Sequence, residues 1–362
     1  MQETCAGRVT SVPAHHLSET DKKPPLRQHT VQITIRKSLK TALPFVLCSA
    51  ILYWMYRDFD FSSMIGFMER EMDWTWMWLS FPFGILAQMF RAWRWKQTLE
   101  PIGERPRTAT AVHSVFVSYA VSLVVPRIGE FMRCGVLNRC DNVSFAKALG
   151  TVVVERAIDS LLILAITLAT LFMQMQVFSI FFDKTGVNII DFLGRFTTTG
   201  YLVTVICGIA ALTSLYFVRR KLYIYNKVKT TVNGITEGLL SLRQVKNIPL
   251  YVFYSLGIWA SYFLHYYLTF FCFDFTAGLS MACALVTFII GTIAVIVPTP
   301  NGAGSWHFAV KTMLILYGVA ETDALYFVLI VHTVQTLLVA LLGVYGWMML
   351  SLKGSRAPES NA

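Results

Sequence analysis

Eight apolar runs constrain this chain more than any other feature: Thr41–Tyr56, Trp74–Phe90, Ala109–Val125, Ala157–Met173, Gly200–Val218, Pro249–Phe273, Gly278–Val297 and Ala324–Leu350. Several approach the roughly 20 residues that carry a helix across a hydrocarbon core. Lipid offers no partners to backbone N–H and C=O groups, so such runs must be helical. The composition agrees, with 55% hydrophobic and 14% charged residues, against about a quarter charged in soluble domains. The expected fold class is an all-α polytopic membrane protein.

Loop charge sets the orientation. The net charge is +10, but the basic residues sit in the tail and between apolar runs, as the positive-inside rule requires, so nucleic acid is not an expected partner. Residues 1–40 (with Arg27, Arg36, Lys37 and Lys40) read as a flexible cytoplasmic tail without a signal-peptide layout. The acidic connection Arg57–Asp73 suits the outside. Arg91, Arg94, Lys96, Arg105 and Arg107 mark a return to the cytoplasm, and Arg219–Lys246 marks another. Residues 351–362 read as a second cytoplasmic tail.

Between those marks the count of crossings balances only if Ala109–Val125 and Arg127–Arg139 form a hairpin that enters from the cytoplasm and returns. VVPRIGEFMR (Val124–Arg133) is then its buried turn. The same count makes Gly278–Val297 and Trp306–Val319 a hairpin from the opposite face, turning at VPTPNGAGSWHF (Val297–Phe308). The expected architecture is an inverted repeat with two re-entrant helical hairpins. Its halves lie at about 41–176 and 199–350, within a transmembrane domain of residues 41–350.

Irregular backbone survives at membrane depth only inside protein or along a watery cavity, so the turns are candidate binding sites. A helix arm that starts inside the membrane aims unpaired N–H groups and a partial positive charge at its turn, which favours an anion. Arg127 adds charge to the first turn. At the second, Gly302 and Gly304 permit close approach and Ser305 is the expected N-cap. Glu130 lies three residues from both Arg127 and Arg133 and reads either as an internal counter-ion or as a substrate group. In VVVERAIDSLL, Glu155, Arg156 and Asp159 cluster on the next helix and are expected to face the interior. Trp74, Trp76, Trp78, Trp93 and Trp95 read as interface anchors. His265 and His332 read as hydrogen-bonding groups of the bundle.

Seven scattered cysteines contain no CxxC pair, and no HExxH, P-loop or GxSxG is present. Neither cofactor, metal nor enzymatic chemistry is expected.

VPRIGEFMR, VVVERAIDSLL and VPTPNGAGSW together resemble the membrane domain of lysylphosphatidylglycerol synthases, the flippase-like domain family. The resemblance covers nearly the whole chain after the tail. It implies a multi-pass protein of the cell inner membrane, related to domains that move aminoacylated phospholipid between leaflets. Its motif positions are Arg127, Gly129, Glu130, Arg133, Glu155, Arg156, Asp159, Pro300 and Gly302. This sequence departs from the family at the second turn, where Asn301 stands at a glycine position and His307 at that of an acid. The soluble aminoacyl-transferase domain of full-length synthases is not seen.

The leading expectation is therefore a flippase or scramblase for a phospholipid or lipid-linked substrate, with the phosphate held by the residues above together with Gly304, Ser305 and His307. A small-solute or ion-coupled transporter, or a membrane partner of a lipid-modifying or glycosyl-transferring enzyme, are the alternatives.

Overall fold

The computed structural model describes residues 49, 51–57, 60–125, 128–174, 241, 245–297 and 299–354. The tail 1–40, the run Gly200–Val218, most of Arg219–Lys246, Pro126, Arg127 and Pro298 lie outside them.

Every regular element among the described residues is helical. They are α1 (Phe61–Arg70), α2 (Trp74–Leu99), α3 (Thr108–Val124), α4 (Ile128–Asp141), α5 (Phe145–Met173), α6 (Ile248–Tyr267), α7 (Asp274–Ala277), α8 (Met281–Ala294), α9 (Ser305–Leu316) and α10 (Glu321–Gly354). Start signals are local. Asp60 caps α1 by accepting from the Ser62 and Ser63 N–H groups, and these bonds with the two serine hydroxyls hold its carboxyl at about 2. Asp73 caps α2, Asn247 caps α6 and Ser280 caps α8.

Lengths divide the helices into two groups. At 1.5 Å per residue, α2, α5, α6 and α10 reach roughly 39, 44, 30 and 51 Å, enough for a hydrocarbon core of about 30 Å. The arms α3, α4, α8 and α9 reach only about 26, 21, 21 and 18 Å.

The short helices pair into hairpins. Gly129 at the start of α4 lies against Ser118 and Ser122 of α3 so closely that a Cβ would collide with the Ser118 carbonyl. At the other end Arg107 joins Asp141 twice, by its backbone N–H at 2.8 Å and its Nε at 2.7 Å. Both arms of this hairpin therefore meet at one base. In the second hairpin, Gly291 of α8 packs on Trp306 of α9 near the turn. Cys283 and Ala284 at the start of α8 share a buried cluster with Leu314 and Val319 at the end of α9.

Side-chain pairs fix the helix directions. Gly84 of α2 receives the His265 ring of α6, Gly257 of α6 receives Phe90 of α2, and Arg94 reaches Ser255, so α2 and α6 run antiparallel. Trp95 meets Thr151 and Arg91 meets Asp159, which makes α5 antiparallel to α2. Ala120 meets Gly343 and His113 meets Gly346, which makes α10 antiparallel to α3. The first hairpin starts where α2 ends, whereas the second starts just after α6 ends. Because α2 and α6 are antiparallel, the two hairpins enter the bundle from opposite ends.

The surface is inverted relative to a water-soluble protein. Leu161, Leu164, Leu168 and Phe172 of α5 are exposed, as are Leu337, Leu341, Val344, Met348 and Leu352 of α10, at helical spacing along one face. Arg91, Arg94, Arg133, Glu155 and Asp159 are buried. Among the described residues only Glu321–Leu352 is long and apolar enough by itself to cross a membrane. α2 and α5 carry charges, but turn them inward.

Two glycines of α4 separate packing from propensity. Nothing lies within 4 Å of a Cβ built at Gly135, so Gly135→Ala should gain about 0.5–1 kcal/mol from helix propensity. Gly129→Ala should lose about 1–3 kcal/mol through overpacking. Thermal unfolding in detergent should move in opposite directions for the two variants.

Candidate functional site

Arg91 and Arg94 sit on one face of α2, three residues apart, and α5 presents Glu155 and Asp159 at i,i+4 to that face. Arg91 Nη1 donates to Asp159 Oδ2 and Arg94 Nη2 to Asp159 Oδ1, each at 2.7 Å. From α4, Arg133 Nη2 donates to Glu155 Oε2 at 2.6 Å. Arg94 Nε stands 3.8 Å from the other oxygen of Glu155. Asp159 thus accepts a fork from two arginines of one helix, while Glu155 ties α4 to α5.

Aromatic and hydroxyl groups complete the shell. The Arg133 guanidinium lies 4.4 Å from the Trp95 ring centroid, within cation–π range. Trp95 itself is fully buried and donates from Nε1 to Thr151 at 2.9 Å. It is an internal support and not the interface anchor expected of it, whereas Trp78 is 63% exposed. Arg94 also donates to Ser255 of α6 at 3.3 Å. Tyr262 of α6 donates to Tyr119 of α3 at 2.8 Å beside Arg91.

Three buried guanidinium groups here face two buried carboxylates, so among the described residues one positive charge has no counter-charge in this inner shell. Arg91 Nε and Arg133 Nη1 are buried without a hydrogen-bond acceptor. At the rim, Arg156 bridges outward. Its Nη2 is 3.0 Å from Asp159 and its Nε 3.2 Å from Glu130, the latter without hydrogen-bond alignment, and the side chain is 40% exposed. Glu130 is therefore an ion-pair partner of Arg156 on the next helix.

The structure brings together Glu130 and Arg133 of α4 with Glu155, Arg156 and Asp159 of α5, two sequence motifs read separately, and Gly129 makes the close contact of the hairpin. The motif of α5 lies well inside that helix, although the apolar run begins only at Ala157. α5 starts at Phe145, so Glu155 follows nearly three turns of helix. Arg91 and Arg94 were read as loop charges, and their burial corrects that reading. Their three-residue spacing, matched to the i,i+4 acids of α5, is the signal that points to them.

The second turn forms its own group. Pro300–Gly302 is a single 3-10 turn packed on α3, with Asn301 and Gly302 both at positive φ, 53° and 70°. A Cβ at Gly302 would stand 2.8 Å from Val295, and Gly304 is also at positive φ, 83°, so both glycines are needed by the backbone. Gly304, not Ser305, is the N-cap of α9. Its N–H donates to Nδ1 of His307 at 3.1 Å, the role Glu or Gln fills in a capping box. Ser305 begins the helix, and its hydroxyl donates back to the Gly302 carbonyl at 3.1 Å. His332 of α10 joins this turn. Its ring centroid is 4.4 Å from that of His307, and its Nε2 donates to the Asn301 carbonyl at 3.2 Å. Its neighbours thus include a turn of the backbone as well as the bundle. His265 does serve the bundle, with Nδ1 2.8 Å from the Ser80 carbonyl.

No hydrogen bond or ion pair among the described residues joins the arginine cluster to the histidine turn, and Arg127 lies outside those residues. No group of three potential metal-ligating side chains occurs among the described residues either.

Buried ionic groups, apolar outer faces and paired short helices define a helical membrane protein. The chain belongs to the lysylphosphatidylglycerol synthase TM region family, whose family model matches residues 41–343. No curated protein and no solved structure matches the chain. Membership ties the protein to the membrane and to lipid handling.

Burial decides what each charge contributes. Glu155→Gln removes one partner of a dry ion pair and should cost about 3–5 kcal/mol. Arg156→Ala, at the exposed rim, should cost under about 1 kcal/mol. Thermal unfolding in detergent should separate the two variants clearly.

Proposed function

We propose that this protein is a multi-pass transporter of the cell inner membrane that moves a phosphate-bearing lipid between leaflets without altering it covalently. The observation that carries the proposal is the dry cluster in which Arg91, Arg94 and Arg133 outnumber Glu155 and Asp159. A buried charge without a counter-charge is costly, and an anionic head group is the partner that a lipid-handling membrane protein meets. The planar guanidinium edges left open at Arg91 Nε and Arg133 Nη1 suit phosphate oxygens.

The packing supports an inverted repeat of re-entrant hairpins. If α2, α3, α4 and α5 are exchanged for α6, α8, α9 and α10, most helix contacts map onto one another. The α2–α6 pair maps to itself, α3–α10 to α5–α8, α2–α3 to α6–α8, and α4–α5 to α9–α10. The contact of α2 with α5 finds its counterpart in Gln335 of α10, which donates to the His265 carbonyl of α6 at 3.1 Å. Arms too short to cross, with joined bases at opposite ends of the bundle, fit hairpins that meet between the leaflets.

Cysteines substituted at Arg105 and at Glu321, with the native cysteines blocked, should label from opposite faces, Arg105 from the cytoplasm. Labelling from one face would overturn the repeat. In vesicles, the reconstituted protein should speed the exchange of a fluorescent phosphatidylglycerol between leaflets. Arg91→Gln should slow it at least tenfold at matched folded amounts. Unchanged exchange in the variant, or covalent change of the probe, would overturn the transport reading.

A further inference from the structure

His307 and His332 are the two imidazoles that share the second turn, and the backbone fixes a different tautomer for each. His307 Nδ1 accepts from the Gly304 N–H at 3.1 Å, so the ring proton of neutral His307 is on Nε2. His332 Nε2 faces the Asn301 carbonyl at 3.2 Å, and a carbonyl only accepts, so His332 carries its proton on Nε2 and leaves Nδ1 as a lone pair. The Asn301 amide, 3.5 Å from the same nitrogen, is committed to Thr336 Oγ1 at 2.6 Å. His307 is 3% exposed, and the two ring centroids are 4.4 Å apart.

The two rings therefore answer a proton differently. A proton on His307 must occupy Nδ1, which would break its bond with Gly304 and set a cation at the N-terminus of α9, against the helix dipole. A proton on His332 enters at Nδ1, keeps the Nε2–H bond to Asn301 and strengthens it by adding charge to the donor. Two imidazolium rings this close repel, so the pair holds one proton. The surroundings add no competing ion. From residues 51–57, Tyr56 meets His307 edge-on at 6.0 Å between centroids, and Tyr266 of α6 contacts Trp306. α10 contributes Thr336, which accepts from the Asn301 amide, and α9 carries Lys311, which is paired with Glu321. The partners of the two rings are each other, the Gly304 N–H and the Asn301 carbonyl.

We propose that His332, held by Asn301 and backed by His307, is a one-proton site that makes binding of an anionic head group at the second turn proton-linked. Taking up the proton places a positive charge beside the Asn301–Gly304 turn and the N-terminus of α9, where an anion is already favoured. Linkage is reciprocal, so the anion must then raise the proton affinity of His332. The inference rests on the lipid-transport reading for the identity of the anion, but the proton site stands on the turn geometry.

The test is a titration of histidine-selective 15N-labelled full-length protein in detergent micelles, from about pH 5 to about pH 8.5. It is run with and without dihexanoylphosphatidylglycerol, and the signals are assigned with His307→Gln and His332→Gln. His332 should titrate as a single proton while His307 stays neutral with its proton on Nε2. The lipid should raise the His332 midpoint, and its affinity should fall by up to about tenfold per pH unit between the lipid-free and the lipid-bound midpoints and level off above the latter. His332→Gln, which can still donate to Asn301, should lose this pH dependence. In His307→Gln, whose amide oxygen can still accept from Gly304, His332 should still titrate. Titration of His307 before His332, or a His332 midpoint that the lipid does not move, would overturn the proposal. A lipid-raised midpoint in a protein that fails to exchange lipid between leaflets would uphold the proton site and remove the transport reading instead.

Discussion

Asp159 and Glu155 bind three arginines from two other helices, and this dry network organises the structure around it. α2, α4 and α5 are held where their charges can meet, and Ser255 brings α6 to the same point. Each partner is expensive to leave alone away from water, so the helices are specified less by apolar attraction, which lipid weakens, than by the cost of any arrangement that parts the charges. The excess of positive charge in the same network is the feature on which the proposed lipid binding rests.

That arrangement also explains why α10, and not α2 or α5, is apolar enough by itself to cross a membrane. α2 and α5 are long enough to cross, yet each carries charges that a linear average treats as if they faced lipid. In three dimensions those charges face one another, and exposed leucines of α5 face outward. The chain is apolar outside and ionic within, the order that a bilayer solvent selects.

Much of this was legible in the sequence. The four short arms agree with the expected boundaries to within a few residues: Thr108–Val124 and Ile128–Asp141, then Met281–Ala294 and Ser305–Leu316. The acids of VVVERAIDSLL do face the interior. Arg91 and Arg94 escaped because a basic residue near the end of an apolar run looks the same whether it snorkels to water or turns inward; only the partner helix decides. Trp95 escaped for the same reason. The cap at Gly304 and the joining of His332 to His307 depend on a turn with three residues at positive φ, a feature that residue types permit but do not dictate.

The contact between Gly343 and Ala120, and that between Gly346 and His113, has a consequence for how the protein is made. α3 emerges from the ribosome early, but the helix that covers it follows more than two hundred residues later. Close approach at glycine leaves no side chain of α10 to stand in for the missing partner. That flank of α3 therefore stays uncovered until the last described helix of the chain has been made.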